Sequence, residues 1–370
     1  MRLAEIDLTD VYPRYQRELD AFHVAARAVA REIFWEHLRE PLAQKSAADA
    51  RATAQLFESR LLDYLISVGD IAADADGHLR PGWQREADGS AANHIANYAA
   101  ADPRRRSLAY FLDACRDIAG GVLRGGDGMR LARARDLRGL LSRWEEVMLD
   151  APILEPCRLF AARALASRMA QPIVVLEGGA GVGVVLRTLL SDARHLKMCD
   201  RIATYYFTEL DPGLLALGKA RLSRSAPESL TRALVYKQLD LDALARNLGC
   251  CGIAPGSVDC IVLEHVLYDV ADLHATLVAL RSLLKPSGAL IFTGAFRGSP
   301  SSFFPCEMLQ LTLASYRRAK LDPPYRSHIG YLSLFEWELS LSRAGYALYA
   351  QPAAEAHERM PHGGIIALPC

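Results

Sequence analysis

The residues best placed to do chemistry in this chain gather around one short run, Glu177-Gly178-Gly179-Ala180-Gly181-Val182-Gly183. Glycines permit a tight turn and let backbone N–H groups come close to a ligand. The dinucleotide fingerprint G-x-G-x-x-G does not fit, because Gly179, Gly181 and Gly183 alternate and Val184 stands where its third glycine belongs. Glu177 adds a carboxylate at the head of the turn. A second anion there repels a pyrophosphate and attracts an ammonium. Acid-x-Gly-x-Gly-x-Gly therefore points to a nucleoside with a cationic amino-acid tail, S-adenosylmethionine. Two further acids suit the rest of that ligand. Glu209, 26 residues past Gly183 and followed by Leu210, is expected to accept hydrogen bonds from both ribose hydroxyls. Asp240 is expected to accept from the adenine amino group while Leu241 covers the ring.

These residues need a scaffold that delivers them to one edge. Residues 173–176 are an apolar, largely β-branched run that suits a strand covered on both faces. Val184, Val185, Leu186, Leu189 and Leu190 continue as a helix. Further strands are predicted at 203–208, 234–239, 257–263 and 289–293, with helices at 214–222 and ending at 280–288. That alternation predicts an α/β, Rossmann-like, doubly wound parallel sheet. Two more strands, near 347–351 and 364–368, bring the sheet to seven. Glu264, His265 and Tyr268 follow the fourth strand. After the fifth, 298–304 reads as a loop, 308–320 as a helix and 321–329 as irregular. This insert, about 298–330, is expected to form one wall over the pocket.

The first 150 residues read differently, and domains are expected at 1–150 and 151–370. A helix over 14–40 places Leu19, Phe22, Ala26, Val29, Ile33 and Leu38 on one face. A second covers 52–68, Gly69 fits its C-cap, and Asp76-Gly77 fits a hairpin turn. This is a winged-helix-like pattern, but it carries Asp70, Asp74 and Asp76 rather than basic residues, so an architectural or dimer-forming role is expected. Residues 82–90 form a polar linker, and helices at 107–123 and 129–144 close an all-helical region. Asn93 and Asn97 lie one turn apart beside Tyr98, either facing a ligand or on a capped surface helix. A long helix through 165 then leads into the central strand.

Composition narrows the classes. The chain has 370 residues, is 51% hydrophobic and 23% charged, and has no net formal charge. It can bury a sizeable core, and no basic field points to nucleic acid. No apolar run reaches the roughly 18 residues a membrane helix needs, and the first residues lack the apolar core of a signal peptide. Eight cysteines are scattered without a C-x-x-C pair. A reduced, cytoplasmic protein without a metal is expected.

Four segments in order, E-x-G-x-G-x-G at 177–183, YYFTELDPG at 205–213, QLDLD at 238–242 and LLKPSGALIF at 283–292, resemble class I methyltransferases that use S-adenosylmethionine. More narrowly, YYFTELDPG and ACRDIAGGVLRG at 114–125 resemble the C-methyltransferase domains of polyketide synthases. The resemblance implies a class I methyltransferase core, with Glu177, Gly179, Gly181, Gly183, Glu209, Asp240 and Leu241 as cofactor contacts. Those domains use a His–Glu pair to remove a proton from carbon. At the two positions this chain has Tyr268 and Gly294. His265, three residues before Tyr268, is either a substitute base or a wall residue beside the cofactor, with Glu264 next to it. Aromatic rings, among them Tyr98 and Tyr268, can hold a sulfonium by cation–π attraction.

The first functional expectation is methyl transfer to a small or carrier-bound polyketide or peptide metabolite. The second is a methyltransferase-fold cyclase, resembling azetidine-2-carboxylate synthases, in which the cofactor's own amine displaces methylthioadenosine. A third, a non-catalytic cofactor-sensing regulator, is opposed by the acidic wing. The N-terminal helices are expected to support a homodimer.

Overall fold

The computed structural model describes residues 6–43, 45, 50, 55–83, 89–350 and 361–370. Parts of the polar linker and of the strand expected to end at Gln351 lie outside them. The chain divides into two compact units, one of Arg14–Ile153 with Gly298–Arg317 and one of Met1–Pro13, Leu154–Arg297 and Arg318–Cys370. The division expected at residue 150 is thus discontinuous in the structure.

The first unit is helical. Helix Tyr12–Ile33 buries Leu19, Phe22, Ala26, Val29 and Ile33, as the spacing requires, and passes through a π-helical turn, Phe34–Leu38, into Arg39–Leu42. Helix Leu56–Ser67 ends in paired bonds from Gly69 N to Ile66 O and Asp70 N to Leu65 O, with Gly69 at φ 75°. That is the Schellman ending a glycine permits. Strands β1 (Ile71–Ala73) and β2 (Leu79–Pro81) pair antiparallel across the Asp76-Gly77 turn. The wing acids serve structure. Asp70 is buried and bonded to Arg27 and Arg31, and Asp74 accepts from the His78 N–H and pairs with Arg80. Helices Ala91–Ala101, Arg106–Leu123 and Gly128–Asp150 follow, the last interrupted at Asp136. Two expectations are corrected here. Residues 298–304 are not a loop, because Pro300 opens helix Pro300–Glu307. Residues 308–320 are not one helix but two 3₁₀ turns, Gln310–Thr312 and Ser315–Arg318. Leu313 is extended, and the Tyr316 hydroxyl turns back to donate to Glu307 Oε1 at 2.6 Å.

The second unit is built on a seven-stranded sheet. Its strands are β3 (Ile173–Gly178), β4 (Ile202–Glu209), β5 (Leu234–Gln238), β6 (Val258–Glu264), β7 (Leu284–Ala295), β8 (Tyr346–Ala350) and β9 (His362–Pro369). Their order is β5-β4-β3-β6-β7-β9-β8. The first five strands are parallel, and β9 runs antiparallel between β7 and β8. Cores lie on both faces, which is why β3 reads as an unbroken apolar run. One contains Val175, Tyr205, Cys260, Val262 and Ile291 against helix Glu155–Arg168; the other contains Leu176, Ile261, Leu263 and Phe292 against helices Leu273–Leu283 and Leu334–Arg343. Each such buried side chain contributes about 1.5–3 kcal/mol of transfer free energy. The expected long helix through 165 is instead a 3₁₀ turn, Pro152–Leu154, followed by Glu155–Arg168. Strand β7 begins earlier than expected, at Leu284, because Pro286 cannot continue a helix. Among the described residues, no helix is long and apolar enough to cross a membrane.

Candidate active site

The strand order places the β3 tip between those of β4 and β6, so the acids of all three strands reach one end of the sheet. In open α/β sheets ligands bind in the crevice beyond the carboxyl ends of the strands, where the order reverses. Here that point is the turn after β3. A Cβ on Gly179 would lie 2.5 Å from Val266 Cγ2, and φ there is +63°. Only glycine meets both conditions. Gly181, at φ +54°, donates its N–H to Glu209 Oε2 at 2.8 Å, and Ala180 N donates to Thr208 O. Gly183 precedes helix Val184–Ser191.

Glu209, at the tip of β4, is the hub of this half. Its Oε1 accepts from the N–H groups of Leu210 and Asp211, at 2.8 and 3.0 Å. Its carboxylate is therefore fixed before any ligand arrives, and with three backbone N–H groups bound it keeps one acceptor site, on Oε2, enough for one ribose hydroxyl rather than both. Leu210 is 53% exposed beside it, while Leu241 is buried and approaches Gly178. Asp240 caps helix Leu241–Arg246, one of its oxygens accepting from Asp242 N. Glu177 is buried, and its Oε2 accepts from the Tyr205 hydroxyl at 2.7 Å. Burial pushes its carboxyl up to about 8 against that bond.

The other half is made by β6 and β7. Glu264 pairs in register with Thr293. It is 7% exposed, and neither carboxyl oxygen has a hydrogen-bond partner among the described residues. Burial pushes it up to about 8, with Arg158 pulling the other way. His265 adopts φ 57°, rare for a side chain other than glycine, and its N–H is held by Thr293 O at 2.9 Å. The residue is half-buried, but Nε2 is out of reach of solvent and has no partner among the described residues. Burial pulls the ring down to about 4, so it is neutral at pH 7. Tyr268 brings its hydroxyl 3.5 Å from His265 Nδ1. Its ring meets Tyr331 edge-on at 4.2 Å. A Cβ on Gly294 would lie 3.5 Å from Tyr268 Cε1, so the two positions that the resemblance gives to a His–Glu pair do face each other.

The structure thus gathers Glu177, Gly179, Gly181, Gly183, Glu209, Leu210, Asp240, Leu241, Glu264, His265 and Tyr268 in one unit. Tyr98, Asn93 and Asn97 belong to the other. There Tyr98 is buried against Phe22 under the Arg105 guanidinium, while Asn93 and Asn97 are exposed on their helix. Sequence reasoning missed four residues. Arg326, fully buried, donates to Tyr268 O and Val270 O and so holds the segment after β6. Its segment carried no periodicity to reveal it. His362, whose ring lies 6.0 Å from that of His265, and Arg158 gave no signal either. Thr293 did, as the last residue of a predicted strand.

The comparisons with known proteins fit this arrangement. Polyketide synthase ThaG of Burkholderia thailandensis is 28% identical over 230 residues, covering 60% of this chain and 4% of that protein. Fumosorinone synthetase of Cordyceps fumosorosea is 28% identical over 335 residues, covering 89% of this chain and 7% of that protein. The chain thus spans less than a tenth of the length of these curated relatives. Among solved structures, the DszA carbon methyltransferase matches with a TM-score of 0.72 at 18% identity, covering 100% of this chain and 98% of that one. The CMeT domain of the citrinin polyketide synthase matches at 0.68 and 14%, covering 98% and 96%. At such identities the structures speak for the fold. The family profile for a methyltransferase domain matches residues 154–351, more than half of the chain and the whole span from β3 to β8. With its glycine turn and strand-tip acids in place, the chain belongs to the methyltransferase domain family.

Proposed function

We propose that this chain transfers the methyl group of S-adenosylmethionine to a carrier-bound, polyketide-type acceptor. The observation that carries the cofactor half of this reading is the bond from Gly181 N to Glu209 Oε2 at 2.8 Å, which locks an acid onto a glycine turn. The donor set suits the group. Glu209 keeps one acceptor site for a ribose hydroxyl, the turn leaves room for close approach, and buried carboxyls at Glu177 and Glu264 match a cationic amino-acid end. When bound, the cofactor supplies a methyl group activated by a sulfonium. The chain's residues then have separate tasks. Glu209 and Asp240 orient the nucleoside, and Leu210 and Leu241 cover its base. Neutral His265, with the Tyr268 hydroxyl near its Nδ1, is the base we assign to take a proton from the acceptor. Holding the two reactants in line supplies much of the remaining barrier reduction.

The relatives, whose printed names are polyketide synthases, support this choice of acceptor class. With Tyr268 and Gly294 at the facing positions, the proton to be removed should be an acidic one, as at the α-carbon of a β-keto thioester. Incubation with S-adenosylmethionine and carrier-bound β-keto thioesters, read by mass spectrometry, should show the acceptor gaining one methylene. Methylthioadenosine formed from the cofactor alone, with no methylated product, would replace this reading with the cyclase. No turnover of either kind would leave neither standing.

A further inference from the structure

Two buried polar groups sit side by side on neighbouring strands and bond to nothing among the described residues. They are both oxygens of Glu264 on β6 and Oγ1 of Thr293 on β7, at 7% and 3% residue exposure. The two residues are register partners. Desolvated polar atoms without partners are costly, and native structures rarely keep them without a reason. Both lie towards the carboxyl end of the parallel strands; Glu264 ends β6, and Val266, two residues on, packs against the glycine turn at Gly179. The acid at the head of that turn is differently placed. Glu177 already accepts the Tyr205 hydroxyl, whereas Glu264 has no donor among the described residues.

We infer that Glu264, with Thr293 beside it, receives the α-ammonium of the cofactor's amino-acid tail, and that Glu177 is the supporting acid behind it. This rests on the reading that the crevice takes S-adenosylmethionine. The match is one of valence. An ammonium has three N–H donors and no acceptor, while this pair of residues offers two carboxylate oxygens and one hydroxyl oxygen. Such charge-assisted bonds are about twice as strong as neutral ones. The rival occupant is an ordered water, with Glu264 serving only as a through-space counter-charge to Arg158, which attracts it.

Calorimetry with three ligands separates these. They are S-adenosylhomocysteine, its analogue lacking the α-amino group, and methylthioadenosine, which has no amino-acid tail. Wild-type protein should bind the first at least tenfold more tightly than the deaminated analogue. Glu264→Gln should remove most of that ratio while leaving methylthioadenosine affinity unchanged. Thr293→Val should lower the ratio by a smaller factor, and Glu177→Gln by less than Glu264→Gln. A ratio that survives in Glu264→Gln, or a larger loss in Glu177→Gln, overturns the assignment. So does a wild-type protein that binds methylthioadenosine but ignores the amino group. Wild-type protein that binds none of the three instead overturns the cofactor reading itself. The deaminated analogue tests the folded wild-type chain directly, so the inference does not hang on whether Glu264→Gln folds.

Discussion

The two halves of the crevice differ in how their polar groups are satisfied. On the β3–β4 side almost everything is partnered. Glu209 holds three backbone N–H groups, Glu177 holds the Tyr205 hydroxyl, and Thr208 Oγ1 donates to Glu177 O. On the β6–β7 side, Glu264, His265 Nε2 and Thr293 Oγ1 are buried without hydrogen-bond partners among the described residues. A finished network is rigid and specifies one geometry, while open buried groups store an unfavourable desolvation that a ligand relieves. The β3–β4 side is therefore built in advance. On the proposed reading, the β6–β7 side is completed by what binds.

The sharpest way to break this comparison is His265→Asn. Asparagine tolerates positive φ, so the backbone at 57° is kept while the proposed base is lost. Turnover should fall by about a hundredfold or more, with cofactor affinity nearly unchanged. Loss of affinity in step with turnover would show that the residue is a wall of the cofactor site. Glu209→Ala attacks the built side and should do the reverse. Cofactor affinity should fall by about 1–3 kcal/mol, because the ribose loses a charged acceptor and Gly181 loses its anchor. Unchanged affinity by calorimetry would remove the ribose assignment.

Acidity gives a third contrast. Free glutamate ionises near 4.5, but burial raises Glu264 to about 8 in the fold. The groups that face it are Arg158 and Cys157 on helix Glu155–Arg168, Glu177 on β3 and Tyr205 on β4. Between those two values the folded state holds a proton that the unfolded chain has released. Stability of the unliganded protein should therefore fall as pH climbs from about 4.5 to about 8, and level off above. Thermal melts across that range should show the decline, and Glu264→Gln should flatten part of it. Glu177 follows the same sign and accounts for a further part. A slope identical in Glu264→Gln and wild type would place the titration elsewhere.

What the sequence disclosed follows the same line. The apolar run of β3, the glycines after it and the acids at 209 and 240 are local patterns, readable because one strand and one turn dictate them. The Schellman glycine at 69 and the Asp76-Gly77 hairpin are equally local. Residues 298–304 read as a loop because they are rich in serine with a proline, and 308–320 read as a helix because nothing local marks the break at Leu313 or the Tyr316–Glu307 bond that folds the segment back. The role of Arg326 depends on carbonyls 56 and 58 residues away, which no spacing reveals. That Glu177 is bonded and Glu264 is not could not be read at all, since both are single acids at the ends of similar strands.

The smallest expected effect tests that last distinction from the built side. Tyr205→Phe removes one oxygen and leaves the ring packed in its fully buried place on β4. Glu177 then loses the one side-chain donor it has among the described residues while remaining desolvated. The cost should be about 1–3 kcal/mol of stability, the penalty for stranding a buried acceptor, seen as a melting point lowered by a few degrees. Cofactor affinity should change less than threefold, because on this view Glu177 supports the site and Glu264 meets the ligand. A large loss of affinity with little change in melting would reverse the two roles. The acid of the glycine turn would then face the ammonium, and the open pair on β6 and β7 would need another occupant.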